Sequence, residues 1–316
     1  MAVLGIDIGG TKIASALFRE NGDTLSRQND YLEGRQGAEV GEQVRGQINN
    51  LRKHPGLKED KLLSIGISVP GISYRSEGTV WAPNIPGWEN YPLRDEVQSF
   101  IGDIPVNIDS DRACCMLGEL WKGSARGCKN AIFLAVGTGI GAGILVNGKI
   151  LRGNNDIAGS VGWMALNRPF DKKYTGCGCF EYHASGEGIA KVCRAYLSEQ
   201  ENYRGSLAKK KINEISAHDV MAAYKVGDSL AGKIIGESVE YWGMAVANLV
   251  SLFNPEKIIF GGGLFGPAKA LLPDIRKEAE KWAQPISMKQ VRLDSSALEG
   301  RAGVYGAAYL ALKSPG

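Results

Sequence analysis

Two glycine-rich turns and two carboxylates give this chain the residue types needed to hold an anion and to move a proton. The first turn lies in Gly5-Ile6-Asp7-Ile8-Gly9-Gly10-Thr11-Lys12-Ile13-Ala14. The second lies in Phe133–Val146 and reads Gly137-Thr138-Gly139-Ile140-Gly141 at its centre. Each is an apolar run, a tight Gly/Thr turn and another apolar run, which is the pattern of a β-hairpin. Glycine allows φ > 0 and close backbone approach, so successive N–H groups can converge on an anion. One such hairpin is usually a turn and nothing more. Two of matching pattern, in separate halves of a chain, point to a duplicated fold that holds a nucleotide's phosphate tail between two lobes. Asp111 sits at a strand-to-helix junction, where an Asp either caps a helix or accepts a proton.

The elements that position these residues follow from periodicity. A helix is expected over 38–53, with Val40, Val44 and Ile48 spaced by four. Leu62–Val69 reads as a short buried strand stopped by Pro70-Gly71, and the segment from there to Pro92 as a long binding loop. A strand over 105–109 leads into a helix over 111–121. Val220–Phe253 reads as one or two long helices with an apolar core stripe, and Ile258-Ile259-Phe260 as a strand entering Gly261-Gly262-Gly263. A helical stretch follows over 268–282, and a C-terminal helix over 301–313. Strands alternating with helices indicate an α/β fold with mixed sheets.

Bulk composition narrows the function classes. The 316 residues suffice for two domains, and 44% hydrophobic with 22% charged residues is ordinary for a globular protein. A net charge of +3 without a long basic run gives no reason to expect a nucleic-acid partner. No membrane span and no signal peptide are expected. The six cysteines form no disulfide framework, which fits a reducing cytoplasm.

Asp7-Ile8-Gly9-Gly10-Thr11-Lys12, Gly137-Thr138-Gly139-Ile140-Gly141 and Gly261-Gly262-Gly263 resemble the ATP-binding motifs of actin-like sugar kinases. More narrowly, the chain resembles the ROK family (repressors, open reading frames and kinases). Val69-Pro70-Gly71, Pro83-Asn84-Ile85-Pro86-Gly87-Trp88 and Asp109-Ser110-Asp111 fall in the order of that family's sugar-site motifs. The resemblance runs from Ile6 to about Ala308. It implies a two-lobed actin-like ATPase (ribonuclease H-like) fold with duplicated mixed sheets flanked by helices. The small lobe would span 1–111, with the helix at about 301–316 packing back on it, and the large lobe 112–300. ROK repressors carry a winged helix before the first hairpin, which here starts at residue 3, so the enzyme branch is expected.

The resemblance implies an ATP- and Mg²⁺-dependent kinase acting on a hexose or hexose derivative. Gly9, Gly10, Thr11, Lys12, Gly137, Thr138, Gly139 and Gly141 would hold the phosphates, and Gly261, Gly262 and Gly263 the nucleoside end. Asp7 would hold Mg²⁺ through water, as suits a carboxylate beside a triphosphate. Asp111 would be the base, with Gly71, Asn84, Ser110, Ser160, Trp163 and Glu181 at the sugar. A homodimer is expected by family analogy. A non-catalytic sugar or nucleotide sensor is the alternative reading, and another actin-fold ATPase a third.

The chain departs from the pattern in one region. The usual Gly-Glu-x-Gly-His is here Gly159-Ser160-Val161-Gly162-Trp163, and the three-cysteine loop shortens to Gly176-Cys177-Gly178-Cys179-Phe180-Glu181. With Cys177 and Cys179 the only family zinc ligands left, no zinc is expected, although His183 offers a Cys-x-Cys-x₃-His alternative. Trp163 is expected to fill the vacated volume. Loss of a charged acceptor at Ser160 and gain of an aromatic face at Trp163 favour a hexose modified at C1 or C2, or a ketose, over plain glucose.

Overall fold

The structure is a computed structural model that describes residues 1–58, 60–199 and 203–313. The chain divides into two compact units, one of Met1–Gly127, Ile150–Ala158 and Ala297–Gly316, the other of Cys128–Lys149 and Gly159–Ser296.

The first unit contains β1 (Ala2–Ile8), β2 (Lys12–Arg19), β3 (Thr24–Tyr31), β4 (Leu62–Val69), β5 (Ile72–Tyr74), β6 (Thr79–Trp81) and β7 (Val106–Ser110). Its five-stranded sheet has the order β3-β2-β1-β4-β7. β1 runs antiparallel to β2 and parallel to β4, and β4 is parallel to β7. Helices α1 (Ala38–Arg52), α2 (Leu93–Ile101) and α3 (Asp111–Lys122) complete it. α1 buries Val40, Val44, Ile48 and Leu51, which is the apolar face that its spacing predicts. The stretch after Pro70 is not simply a loop: β5 and β6 pair as a small antiparallel hairpin inside it.

The C-terminal helix, Ala302–Lys313, lies against this sheet at backbone-to-backbone distance. A methyl on Gly66 would fall 1.8 Å from the Ala307 carbonyl oxygen, and one on Gly5 2.3 Å from that of Val304. The same helix meets α3, where a methyl on Gly306 would fall 1.6 Å from the Cys114 carbonyl. This contact puts α3 in the first unit, although a boundary after residue 111 was expected. Small residues on both helices bring the two backbones together, and α3 follows its packing partner. The last residues of the expected C-terminal segment, 314–316, lie outside the described residues.

The second unit repeats the plan. Its strands are β8 (Ala131–Val136), β9 (Ile140–Val146), β10 (Lys149–Ile150), β11 (Lys257–Gly261) and β12 (Arg292–Ser295), in the order β10-β9-β8-β11-β12. β8 is antiparallel to β9 and parallel to β11. The helices are α4 (Cys179–Ala184), α5 (Gly186–Glu199), α6 (Ala217–Lys225), α7 (Ser229–Phe253), α8 (Leu272–Glu280) and α9 (Pro285–Gln290). The stretch over 220–253 is two helices, because Asp228 breaks it and caps α7 by accepting from the Leu230 and Ala231 N–H groups at 3.0 and 3.1 Å. Ile234, Trp242, Val246 and Leu249 of α7 are buried in the unit's core. Among the described residues, no helix is long and apolar enough to cross a membrane.

Candidate active site

In the first unit β1 delivers Asp7 to the end of the sheet. Its carboxylate accepts a hydrogen bond from the buried Ser68 Oγ at 2.6 Å. Burial raises its pKa, against the pull of Ser68 and the Lys12 charge. Gly303 of the C-terminal helix is packed on it, since a methyl there would lie 2.3 Å from Oδ2. The turn to β2 closes through a Gly9 N–H to Lys12 carbonyl bond of 2.9 Å, leaving Gly10, Thr11 and Lys12 exposed at its tip. Asn84 reaches the same tip, with its Cβ 3.1 Å from where a Gly10 methyl would stand.

β7 ends at Ser110, and α3 begins at Asp111. Ser110, not Asp111, is the N-cap: its Oγ accepts from the Ala113 N–H at 3.4 Å. Asp111 therefore occupies the first helical position, its carboxylate taking the Arg112 N–H at 2.7 Å. Desolvation raises its pKa to about 6; Arg112 opposes the rise and the Asp7 charge adds to it. The Arg112 guanidinium donates to the Gly71 carbonyl at 3.3 Å, tying the Val69-Pro70-Gly71 loop to the head of α3. Gly71 has φ 137, and a methyl there would lie 2.1 Å from the Trp81 carbonyl, so no other residue fits. The unit thus brings together Asp7, the β1–β2 turn and Asn84, and couples Asp7 to Asp111, which heads the helix bonded to Gly71.

In the second unit the turn is Gly137–Gly139. Gly141 is not in it but in β9, paired with Ala135. The Gly137 N–H closes the turn onto the Gly139 carbonyl at 3.0 Å, and the Gly137 carbonyl accepts from Gly186 N–H at 2.7 Å. Gly263 lies beside it, its nitrogen 3.9 Å from where a Gly137 methyl would be. Gly261 ends β11, and Gly262 has φ 89 with the Val136 backbone against it. Glu181, on α4, accepts from the Ile140 N–H at 2.6 Å and touches Gly139 and Gly162. Burial raises its pKa. Ser160 precedes the short turn Val161–Trp163. Contrary to the expectation of φ > 0, the hairpin glycines Gly9, Gly10, Gly137 and Gly139 do not have positive φ; Gly10 and Gly139 are small because Asn84 and Glu181 approach them.

The pattern of the ROK family matches residues 3–314 of the chain. The chain belongs to the ROK family. A glucokinase of Halalkalibacterium halodurans is 32% identical, covering 97% of this chain and 94% of that one. A xylose repressor of Caldicellulosiruptor bescii is 30% identical over 96% of this chain and 76% of the repressor. The structure of a ROK family glucokinase from Streptomyces griseus in complex with glucose and AMPPNP matches with a TM-score of 0.79 at 28% identity, over 99% of this chain and 100% of that one. The two mixed α/β sheets with flanking helices are the ROK fold.

In this ROK chain the donors fit a nucleotide and a hard cation. Asp7 can contribute one carboxylate, and Mg²⁺ typically takes one or two carboxylates together with substrate phosphates and water. The exposed tips at Gly10–Thr11 and Thr138, with Gly262–Gly263 behind the second, form bare backbone surfaces of the kind that phosphates need. They do not fit zinc. Among the described residues no three His, Cys, Asp or Glu side chains gather where a metal could sit. His183 Nε2 is 3.0 Å from the Tyr174 hydroxyl and its ring stacks on Tyr241 at 4.4 Å. Trp163 is 58% exposed and so does not fill an interior space as expected, while Tyr174, Tyr182 and His183 pack on one another.

Two partners of the site are invisible to motif reading. Ser68 is the hydrogen-bond donor to Asp7, and its one signal is a polar residue in an otherwise apolar buried strand. Arg152 grips the buried Asp109 through Nε at 3.1 Å and through Nη2. Asp109 in turn accepts the Ser110 N–H at 2.9 Å, just ahead of α3. No spacing in the sequence connects Arg152 to Asp109.

Proposed function

We propose that this ROK protein is an ATP-dependent sugar kinase whose general base is Asp111, acting on a hexose or hexose derivative. The observation that carries the reading is a desolvated carboxyl at the head of α3, with a pKa raised to about 6 in the field of Asp7. A base poised there is ionised at neutral pH yet basic enough to take a hydroxyl proton as the bond to phosphorus forms. Similarity to a glucokinase and to a glucose- and nucleotide-bound ROK structure supports both the substrate class and ATP as donor.

Asp7, steadied by Ser68, holds Mg²⁺, which neutralises phosphate charge when bound. Gly9 and Gly137 shape their turns, and the N–H groups of Gly10 and Gly139 and the hydroxyls of Thr11 and Thr138 meet the phosphates. Lys12 adds a positive charge, Gly141 keeps the strand behind the second turn narrow, and Gly261, Gly262 and Gly263 border the nucleoside. Asn84, Ser110, Gly71 and Glu181 contact the sugar. Ser160 and the exposed face of Trp163 select against plain glucose. The protein works in the cytoplasm as a homodimer.

A second reading, a sensor that binds sugar without turnover, draws support from the xylose repressor's similarity. ADP release with ATP, Mg²⁺ and a panel of glucose, fructose, N-acetylhexosamines and a β-glucoside separates the two. Turnover led by a ketose or a C1- or C2-modified hexose supports the full reading. Turnover led by glucose removes the selectivity assigned to Ser160 and Trp163, and sugar binding without ADP release favours the sensor.

A further inference from the structure

The segment between Trp163 and Glu181 is where a zinc site is implied by the family and the donors do not fit one. It is nonetheless tightly held. Asp171 accepts the Lys173 N–H at 3.0 Å and so caps the short turn Lys172–Tyr174. Tyr174 then accepts the Gly178 N–H on its carbonyl at 2.8 Å. Gly178 lies hard against the start of the segment, since a methyl there would sit 2.5 Å from the Gly162 carbonyl oxygen and the Trp163 Cα. The Tyr174 hydroxyl meets His183 Nε2 at 3.0 Å. The imidazole lies flat on Tyr241 of α7, with ring centres 4.4 Å apart and planes 4° from parallel. Tyr182 meets both His183 and Tyr174 edge-on, at 5.1 and 5.7 Å. Lys173 caps the group, 5.3 Å from the ring centres of Tyr174 and Tyr182.

This cluster is joined to the core and to the site. α7 holds the end of α4 from behind, where Trp242 Nε1 donates to the Ala184 carbonyl at 3.0 Å and Ser238 Oγ to that of His183 at 3.4 Å. Glu181 is two residues before His183 on the same short helix, and one of its carboxylate oxygens is bonded to the Ile140 N–H. A six-residue helix has little intrinsic stability, so its orientation depends on what it packs against. We propose that the stack Tyr174–His183–Tyr241 replaces a structural metal ion in this chain. It locks the segment ahead of α4 without any metal, and it aims the free oxygen of Glu181 at the sugar. His183 is thus a positioning residue for sugar binding. This rests on the reading of Glu181 as a sugar contact. Burial lowers the His183 pKa to about 4, so the ring is neutral where it lies flat on Tyr241 and meets the Tyr174 hydroxyl.

The test uses the full chain purified without added zinc. Metal content is measured by plasma emission, and the melting temperature is measured with and without a zinc-selective chelator. Substoichiometric zinc and an unmoved melting temperature are expected; stoichiometric zinc whose removal lowers the melting temperature overturns the proposal. Kinetics supply the second arm. His183→Ala should raise the sugar KM roughly tenfold while leaving the ATP KM unchanged, as loss of a supporting contact does. His183→Phe keeps the flat stack but, like Tyr174→Phe, loses the hydrogen bond, and should recover part of that loss. Should His183→Ala fail to fold, Tyr174→Phe, which removes one hydroxyl, should still raise the sugar KM alone. Equal shifts in both KM values, or no shift in either, overturn the positioning role. Glu181→Gln is measured alongside: if it leaves the sugar KM unmoved, the assignment of Glu181 fails and the positioning role with it. A rise for Glu181→Gln with none for the His183 and Tyr174 variants locates the failure in the stack alone.

Discussion

In the β1–β2 hairpin Ile8 pairs with Ile13 across Gly9–Lys12, whereas in the β8–β9 hairpin Val136 pairs with Ile140 across the shorter turn Gly137–Gly139. In both, the first glycine closes the turn with its own N–H. Two residues before that glycine the hairpins part: one has Asp7, the other Ala135. Asp7 keeps a carboxylate at the end of the sheet, with Ser68 bonded to it and Gly303 packed on it. Ala135 is flanked in the sheet by Gly141 and Gly261, and carries no charge. The carboxylate near the second turn comes from α4, through Glu181. A repeated backbone can therefore carry unequal chemistry. The first hairpin is built to place charge, and the second to present bare backbone.

The largest effect should separate the two hairpins. Asp7→Asn is expected to lower kcat by about 10²–10³-fold and to raise the Mg²⁺ needed for half-maximal rate, since it removes the charge proposed to hold the cation. Thr138→Val, which removes one hydroxyl from the second turn, should cost about tenfold or less. Equal losses in the two variants would break the comparison.

The next effect is on stability. Folded Asp111 keeps its proton to about pH 6, while an unfolded Asp releases it near its ordinary value of 3.8. The stability that this group contributes is thus fully present below about pH 4 and lost as pH rises through 6. Asp111→Asn should then be more stable than the parent at pH 7–8, by up to about 3 kcal/mol, with the gain vanishing at pH 4. Denaturant midpoints across that range check it. Gly303→Ala forces a methyl against the Asp7 carboxylate and should destabilise by about 1–3 kcal/mol. Gly46→Ala is the smallest effect: its site on α1 is open, and replacing a helical glycine should stabilise by about 0.5–1 kcal/mol.

The parts of the molecule that were legible in sequence are those whose signal is local. Both hairpins, β4, α1 and the C-terminal helix follow from apolar spacing and small-residue patterns. β3 left no trace, because Thr24–Tyr31 has no apolar alternation and is ordered by its pairing with β2. The β5–β6 hairpin was hidden by strands of three residues in a segment that reads as loop. At the site, Asp7 and Asp111 stood out because each sits beside a turn or junction. Ser68, Arg152 and the Tyr174–His183–Tyr241 stack did not, since each meets its partner only after the chain has folded. An Asp at a strand-to-helix junction is by itself more often a cap than a base, and only the family motif reverses that for Asp111; the structure gives the cap to Ser110, so Asp111 does not serve as the cap.

The most direct measurement is the turnover of Asp111→Asn with nucleotide and sugar affinities determined in parallel. A base at this position predicts kcat lower by roughly 10²–10⁴-fold, with both affinities retained. It also predicts that the parent's kcat/KM rises with pH through about 6, where the Asp111 carboxyl loses its proton, and that this limb is absent from the variant. Near-native turnover in Asp111→Asn, or an unchanged acid limb, would contradict the account.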